Sequence, residues 1–259
     1  MDYSSLGSLW FETFYPRIMH DLGFDKSRDE EARDVLSNLL TTEKAELIQK
    51  VSDKIMGKEV IMFGAGPSLE SDIKGLYEFV NQRHPTVVAA DGAADALYVN
   101  SIIPSIVVSD LDSCTQNNLE RCSHEGLVFV HAHGDNTQLV KRIVPSLGSN
   151  VIGTTQVSSV ANVTNYGGLT DGDRACFVVC DFHPLALIVA GMDFGKIEGR
   201  YSVSKHNQIQ NLNRPTKLTI GRESLEFLIK SRPEIRYQNV TKFGEEIKGA
   251  RRVNYSQVT

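Results

Sequence analysis

Basic charge is scarce in this sequence. Its 259 residues include 27 Lys and Arg against 32 Asp and Glu, which gives a formal net charge of −5 at pH 7. Proteins that bind nucleic acids carry a stripe of Lys and Arg against the phosphate backbone, and no basic block of that kind occurs here. We therefore expect no nucleic-acid partner.

Long apolar runs are also missing. The longest run, Leu185–Ala190, is far shorter than the ~20 residues that a membrane-spanning helix needs. The opening stretch MDYSSLGSLWFETFY lacks the basic and then apolar pattern of a signal peptide. These absences predict a protein that has no membrane partner and is located in the cytoplasm.

The sequence has few cysteines and lacks two common catalytic motifs. Its 4 cysteines form no C-x-x-C pair, and structural zinc ligands usually come as closely spaced pairs. We therefore expect reduced cysteines, with Cys176 and Cys180 as small core residues on one helix face. No GKS or GKT follows a glycine-rich loop and no G-x-S-x-G occurs, which disfavours P-loop kinases and α/β-hydrolases.

Runs of β-branched residues alternate with helical patterns between residues 59 and 195. This alternation predicts an α/β fold: a Rossmann-like, mostly parallel sheet flanked by helices. The expected strands are Glu59–Phe63, Thr86–Ala90, Ser105–Ser109, Leu127–Ala132, Val151–Thr155 and Leu185–Ala190, with an edge strand over Glu234–Val240.

The two ends of the chain differ from this central part. Residues 1–56 have no strand pattern and predict three helices, so we expect a helical N-terminal appendage there. Residues 57–259 would form the catalytic domain, which ends in a helix and an irregular tail. Residues 196–215 are polar and rich in Gly, Asn and Ser, which predicts a loop.

Acidic residues follow three of the expected strands. Asp91 follows the second strand, Asp110 and Asp112 follow the third, and Asp135 comes shortly after the fourth. The carboxyl ends of parallel strands form the edge where ligands bind, and in extended geometry residues i and i+2 point to the same side. Because Mg²⁺ prefers carboxylate oxygens, these four acids predict a metal site; the alternative is that single acids only cap helices.

A glycine turn and several polar side chains are expected at the same edge. The turn from Gly64 to Ser68 would let backbone amides approach a phosphate, although a plain tight turn explains it nearly as well. Two interpretations of Arg174 have equal weight: it binds a phosphate, or it forms ion pairs with the nearby acids. The neutral side chains that suit a heterocycle or a ribose, or simply turns, are Thr154, Thr155, Gln156 and Asn165.

Several ordered motifs resemble one enzyme family. They are GAGPSL (64–69), ADGAADAL (90–97), IPSIVVSDLDS (103–113), HAHGDN (131–136), GTTQ (153–156) and GGLTDGDRA (167–175). Together they resemble archaeal-type 6-hydroxymethyl-7,8-dihydropterin pyrophosphokinases over most of the chain. The resemblance implies a diphosphotransferase that moves the β,γ-diphosphate of ATP to the hydroxymethyl group of a reduced pterin and releases AMP, with Mg²⁺ held against the triphosphate.

Roles for individual residues follow from the motifs and this resemblance. The expected catalytic acids, which would also hold Mg²⁺ together with Asp91, are Asp110, Asp112 and Asp135. The expected contacts to ATP and its phosphates are Gly64, Gly66, Pro67, Ser68, Asp91, Gly92, Asp171 and Arg174. For the acceptor we expect contacts from Thr154, Thr155, Gln156 and Asn165.

Three alternatives stay open at this point. A subset of the motifs looks like thiamin pyrophosphokinase, but HGDN (133–136) lacks the lysine of those enzymes and the C-terminal region lacks the strands of their β-sandwich domain. The D-x-D at 110–112 is also typical of metal-dependent glycosyltransferases. A dinucleotide-binding module would use Gly64 and Gly66 with Asp91 on a ribose. The sequence leaves a homo-oligomer open.

Overall fold

The computed structural model describes residues 5–195, 197–202 and 213–259. Within these ranges nine strands form one sheet. The strands are β1 (Glu59–Phe63), β2 (Thr86–Ala90), β3 (Ile106–Ser109), β4 (Leu127–Ala132), β5 (Val151–Thr155), β6 (Val163–Thr164), β7 (Ala186–Ala190), β8 (Arg236–Asn239) and β9 (Arg251–Arg252). Their order across the sheet is β6-β5-β4-β3-β2-β1-β7-β8-β9.

Every neighbouring pair of strands in this sheet is parallel. The central strands β2, β4 and β7 are buried along their whole length. Such strands read as continuous apolar runs because helices cover both faces of a parallel sheet. The predicted α/β class and Rossmann-like parallel sheet are confirmed.

Helices cover the two faces of the sheet. In the described part of the chain they are α1 (Ser5–Leu22), α2 (Lys26–Leu39), α3 (Lys44–Ile55), α4 (Leu69–Arg83), α5 (Ala93–Val99), α6 (Gln116–Glu125), α7 (Thr137–Ile143), α8 (Asp171–Asp181) and α9 (Arg214–Ser231). One hydrophobic core holds residues of α1, α3, α8 and α9, and the other holds residues of α2 and α4 to α7. None of the described helices has both the length and the apolar composition for crossing a membrane.

The three predicted N-terminal helices are present and share these cores with the sheet. Trp10 of α1 is fully buried, and its indole Nε1–H donates to Ser224 Oγ of α9 at 2.7 Å. Phe14 packs edge-on against Phe227 of α9 with ring centroids 5.6 Å apart. The aromatic face of α1 therefore attaches this helix to α9. The domain boundary at residue 56 stays a prediction.

The C-terminal region differs from the prediction. Strand β8 was expected at the sheet edge, but it lies between β7 and β9, and the tail contributes β9 where irregular structure was expected. Two-residue strands such as β6 and β9 carry no readable periodicity, so the sequence gives no sign of them. In the predicted loop over 196–215, residue 196 and residues 203–212 lie outside the described residues.

The strand order fixes where a ligand can bind. From β1 the chain runs outward to β6 on one side, and it then crosses to β7 on the other side of β1. Ligands of open α/β sheets bind outside the carboxyl ends of the strands at such a reversal of strand order. The turns after β1, β2, β3 and β7 all meet at this edge.

Candidate active site

Three carboxylates meet at the carboxyl edge of the sheet. Asp91 directly follows β2, Asp110 directly follows β3, and Asp171 is the first residue of α8. One oxygen from each of these three side chains lies within 4.8 Å of the other two. We call Asp91, Asp110 and Asp171 the acidic cluster. Asp171 was expected at this edge as a phosphate contact, and its place among the carboxylates that could hold a cation was not predicted.

Asp91 holds the turn that carries Asp110. Its carboxylate accepts the backbone N–H groups of Ser113 at 3.0 Å and Cys114 at 3.2 Å, and the hydroxyl of Ser109. Asp91 itself has a positive φ of 44°, so the strand ends there in a sharp turn. One side chain thus both belongs to the cluster and orients a second member of it.

The expected extended geometry of the D-x-D is wrong. Leu111 has a φ of 74°, in the left-handed region, and its side chain is buried. The residues form a tight turn in which the backbone N–H of Asp112 donates to Asp110 Oδ1 at 3.2 Å. Asp112 lines one cavity together with Asp110, and its Oδ1 accepts the Ser113 hydroxyl at 2.7 Å. A turn, and not strand alternation, sets the positions of the two acids.

Burial and mutual repulsion shift the pKa values of the carboxyl groups in the cluster. Burial, together with the charges of Asp110 and Asp112, raises the pKa of Asp91 well above its ordinary value. Burial and the other acids raise the pKa of Asp171 in the same way. Burial alone would raise the pKa of Asp110, but its hydrogen bond to His133 and the His133 charge outweigh burial and lower it. A divalent cation relieves such repulsion, and this oxygen donor set fits Mg²⁺.

Two histidines lie beside the cluster. His133 Nε2 lies 3.4 Å from Asp110 Oδ2, and the His131 and His133 rings stack with centroids 5.5 Å apart. His131 Nδ1 lies 3.2 Å from Thr154 Oγ1, while its buried Nε2 has no hydrogen-bond partner among the described residues. Burial and the Arg174 charge hold the pKa of His131 well below its ordinary range, so this ring is neutral.

The acidic cluster and both histidines line a cavity of about 210 Å³. We call it the main cavity. Among the expected ATP contacts, Gly64, Gly66, Pro67, Asp91 and Asp171 line it, whereas Ser68, Gly92 and Arg174 are not among its lining residues. Among the expected acceptor contacts, only Gln156 lines it.

The glycine turn from Gly64 to Ser68 closely approaches the turn that follows β7. A Cβ on Gly66 would lie 2.1 Å from Asp193 Oδ2 and 2.5 Å from the Gly191 carbonyl oxygen. Asp193 Oδ2 accepts the backbone N–H of Ser68 at 3.1 Å and lies 3.0 Å from the Ser68 hydroxyl. A carboxylate of the protein therefore already occupies the N-terminus of α4. The turn gives shape to the cavity, while the amide of Ser68 is engaged inside the protein.

Arg174 supports the loop that leads into α8. Its side chain is fully buried, and its guanidinium donates to the carbonyl oxygens of Gly167 and Leu169, both at 3.3 Å. At the start of α8, Thr170 and Asp173 form a capping box, which fixes the first turn of the helix. Arg174 and the capping box thus hold Asp171 at the cavity.

The remaining expected acceptor contacts lie beneath the surface of the main cavity. Thr154 hydrogen-bonds His131, Thr155 Oγ1 accepts the Val157 N–H at 3.3 Å, and Asn165 Oδ1 accepts the Gly167 N–H at 2.9 Å. Turn chemistry accounts for the contacts of Thr155 and Asn165, whereas that of Thr154 joins the neighbouring strands β4 and β5; the acceptor roles of these residues stay predictions.

Gln156 is oriented by a residue that the sequence did not single out. Its Nε2 donates to Asp29 Oδ2 at 2.7 Å. Asp29 of α2 is buried and also accepts from the Tyr15 hydroxyl and the Gly134 N–H, both at 2.7 Å. Asp29 lies in the polar run SRDEEARD (27–34), whose pattern indicates a solvated helix face, so no local signal could have identified it.

A second cavity of about 270 Å³ adjoins the first. One wall is formed by Phe24, in the turn between α1 and α2, and by Arg28 and Asp29 in the first turn of α2; the segment after β4 forms another. Asp135 lies there, 3.4 Å from Arg28 in an exposed ion pair and apart from the acidic cluster. The predicted roles of Asp112 and Asp135 as metal ligands stay predictions.

This fold and site define a Rossmann-like α/β protein with a partly buried acidic cluster, able to hold a cation, at the ligand edge of its sheet. Comparison with known proteins then gives the family. The family model described as 6-hydroxymethylpterin diphosphokinase MptE-like matches residues 33–199. The chain belongs to this family and is a diphosphotransferase, as its sequence motifs suggested.

Three curated relatives are each named 6-hydroxymethyl-7,8-dihydropterin pyrophosphokinase. The protein from Methanocaldococcus jannaschii is 44% identical over 200 residues, which cover 74% of this chain and 82% of the relative. The protein from Methanothermobacter thermautotrophicus is 39% identical over 190 residues, covering 73% and 79%. The protein from Pyrococcus furiosus is 34% identical over 221 residues, covering 84% and 92%.

A solved structure shares the fold at much lower identity. The MAf glycosyltransferase from Magnetospirillum magneticum AMB-1 superposes with a TM-score of 0.51 at 16% identity. The match covers 85% of this chain and 40% of that longer chain. This likeness concerns the fold alone.

Proposed function

We propose that this protein transfers the β,γ-diphosphate of ATP to the hydroxymethyl group of 6-hydroxymethyl-7,8-dihydropterin in a Mg²⁺-dependent reaction that releases AMP. The observation that carries the proposal is the acidic cluster of Asp91, Asp110 and Asp171 in the main cavity of a chain of this family. The reaction belongs to the biosynthesis of folate- or methanopterin-type pterins, and its use of ATP implies a cytoplasmic location.

Asp91, Asp110 and Asp171 would hold the cation. When bound, Mg²⁺ neutralises charge on the transferred diphosphoryl group and on the leaving phosphate. The chain supplies the positions of these ligands: Asp91 is fixed by the amides of Ser113 and Cys114, and Asp110 by His133. Pre-fixed ligands of this kind need little reorganisation during the reaction.

The bond changes define what the site must orient. The hydroxymethyl oxygen of the pterin forms a bond to the β-phosphorus, and the bond from that phosphorus to the α,β-bridging oxygen breaks. AMP leaves with the bridging oxygen, and the hydroxyl proton passes to solvent. Gln156 and the neutral His131 offer hydrogen-bonding groups that suit the polar edge of a pterin at the wall of the cavity.

AMP release is the most direct test. We would incubate the protein with ATP, Mg²⁺ and hydroxymethyl-dihydropterin and quantify AMP and the diphosphorylated pterin by liquid chromatography. An Asp110→Asn variant should be slower by roughly 10²-fold or more, because it loses a transition-state charge contact. Asp34→Asn, at an exposed position on α2, is the matched control and should behave like the wild type.

Two further arms test the proposal against other substrates. Thiamin in place of the pterin should give no AMP, and a UDP-sugar in place of ATP should give no product. AMP formation that survives complete removal of Mg²⁺ by a chelator, or a wild type that turns over thiamin but not the pterin, would overturn the proposal.

A further inference from the structure

The main cavity and the second cavity meet beside the acidic cluster. Three residues line both of them: Phe24 from the turn between α1 and α2, His133 after β4, and Lys217 from α9. Because His133 Nε2 lies 3.4 Å from Asp110, the junction of the two cavities directly adjoins the cluster. A group that passes from a ligand in one cavity to a ligand in the other would cross this junction.

Lys217 brings a positive charge to the junction. The two arginines nearby are engaged: Arg214 pairs with Glu198 at 2.7 Å, and Arg28 pairs with Asp135 at 3.4 Å. For Lys217, in contrast, no described carboxylate comes within the 4.0 Å of an ion pair. Its Nζ lies over the Phe24 ring, 5.4 Å from the centroid, and this contact positions the ammonium group between the cavities.

The place of Lys217 in its helix is unusual for a merely structural lysine. It lies in the first turn of α9, which contains Arg214 and no acidic residue. The N-terminus of a helix carries a partial positive charge, so that helices favour acids in the first turn and cations in the last. Here the charge of Lys217 adds to the partial positive charge of the helix N-terminus. The electrostatic potential at the junction is therefore positive on the α9 side.

From this arrangement we propose that Lys217 is a catalytic residue that binds the diphosphoryl group during its transfer. This inference rests on the proposed diphosphate transfer. The acidic cluster and its cation would hold the triphosphate from one side, and the Lys217 ammonium would contact the phosphate oxygens from the other. Lysine suits this role because it presents a compact point charge to phosphate.

Two measurements test the inference. Lys217→Met keeps the apolar stem against Phe24 and removes the charge, and Lys217→Arg keeps the charge. The matched control is Lys230→Ala, at an exposed position in the last turn of the same helix. Binding of inorganic tripolyphosphate in the presence of Mg²⁺ is measured by isothermal titration calorimetry, and AMP formation by steady-state kinetics, after melting curves show that each variant is folded.

We expect Lys217→Met to weaken tripolyphosphate binding by roughly 10-fold, the effect of one charge-assisted contact. Its kcat should fall by roughly 10²-fold, while the KM for the pterin changes little. Lys217→Arg should recover part of both effects, and Lys230→Ala should match the wild type.

Unchanged tripolyphosphate binding in Lys217→Met would overturn the role of Lys217, whether or not the wild type turns over the pterin. Unchanged kcat in an active enzyme would overturn it equally. A wild type that binds tripolyphosphate through Lys217 but releases no AMP would instead overturn the proposed function and leave the phosphate contact established.

Discussion

Asp181 lies at the end of α8 opposite Asp171. We expect the titration of its carboxyl group to make the free energy of unfolding depend on pH. Asp181 is the last residue of α8, only 7% of its surface is exposed, and its Oδ2 is buried without a partner among the described residues. The nearest cation is Arg232, whose NH2 atom lies 3.6 Å from Asp181 Oδ1. Burial raises the pKa of Asp181 from 3.8 to about 7, against the opposing charge of Arg232.

The sign of the effect follows from linkage. Between the unfolded pKa of 3.8 and the folded pKa of about 7, the folded chain holds a proton that the unfolded chain has lost. The stability contributed by this proton is complete below the lower pKa and is lost as the pH rises through the upper one. At about 1.36 kcal/mol per pH unit, the loss is about 4 kcal/mol, and the folded pKa of about 7 already includes the opposing charge of Arg232.

The Asp181→Asn variant removes this titration and keeps the shape of the side chain. Urea unfolding at pH 4.5, 6 and 8 gives the free energy of unfolding of each protein, and the difference between the two proteins cancels all other titrations. Relative to the wild type, the variant should gain roughly 2 to 4 kcal/mol between the lowest and the highest pH. Asp53→Asn, at an exposed position in α3, should show no such gain. A difference for Asp181→Asn that stays flat within about 0.5 kcal/mol would refute the reasoning.

Three shorter predictions concern the site and its support. Asp171→Asn should lose the Mg²⁺-dependent stabilisation that we expect for the wild type, which is about 2.7 kcal/mol of unfolding free energy at a hundredfold excess of Mg²⁺ over its Kd and is read as a rise in melting temperature; an equal rise in both proteins would exclude Asp171 as a ligand. Gly66→Ala should lower the free energy of urea unfolding by roughly 1 to 3 kcal/mol, since its Cβ would lie 2.1 Å from Asp193 Oδ2; unchanged stability would show that the turn after β7 can move. Trp10→Phe should cost roughly 1 to 3 kcal/mol in the same assay, because it leaves the buried Ser224 hydroxyl unpaired, and adding Ser224→Ala should recover part of this loss; additive effects would contradict the contact.

The parallel sheet could be predicted because its signal is local. A buried parallel strand is an apolar, β-branched run bounded by turn residues, and β1, β2, β4 and β5 match their predicted ranges residue for residue. Strand β8 was misplaced because its sequence RYQN is polar although three of its four residues are buried. Its partner β9 comes from the tail, and such a contact is decided by tertiary packing.

In the candidate site, too, some residues could be predicted from local sequence and others depend on tertiary packing. Asp91 and Asp110 could be predicted because each directly follows a strand, and all strand ends of a parallel sheet face one edge. Asp171 reaches the same edge from a helix, so its place in the acidic cluster depends on how α8 packs. The sequence could not show that Asp193 accepts the backbone N–H of Ser68 at the start of α4, because this contact joins two turns far apart in the chain.

Residues from the N-terminal helical region and from α9 meet at the junction of the two cavities. Phe24 lies in the turn between α1 and α2, and Lys217 lies in α9, yet they meet at the junction of the two cavities. Their meeting depends on contacts between α1 and α9, such as the bond from Trp10 to Ser224. The sheet thus carries two members of the acidic cluster, and Phe24 and Lys217 reach the lining of the main cavity from the helical regions on either side of it in sequence. We therefore expect Trp10→Phe, which loosens the α1–α9 contact, to weaken tripolyphosphate binding in isothermal titration calorimetry more than Mg²⁺ binding; equal losses would contradict this dependence.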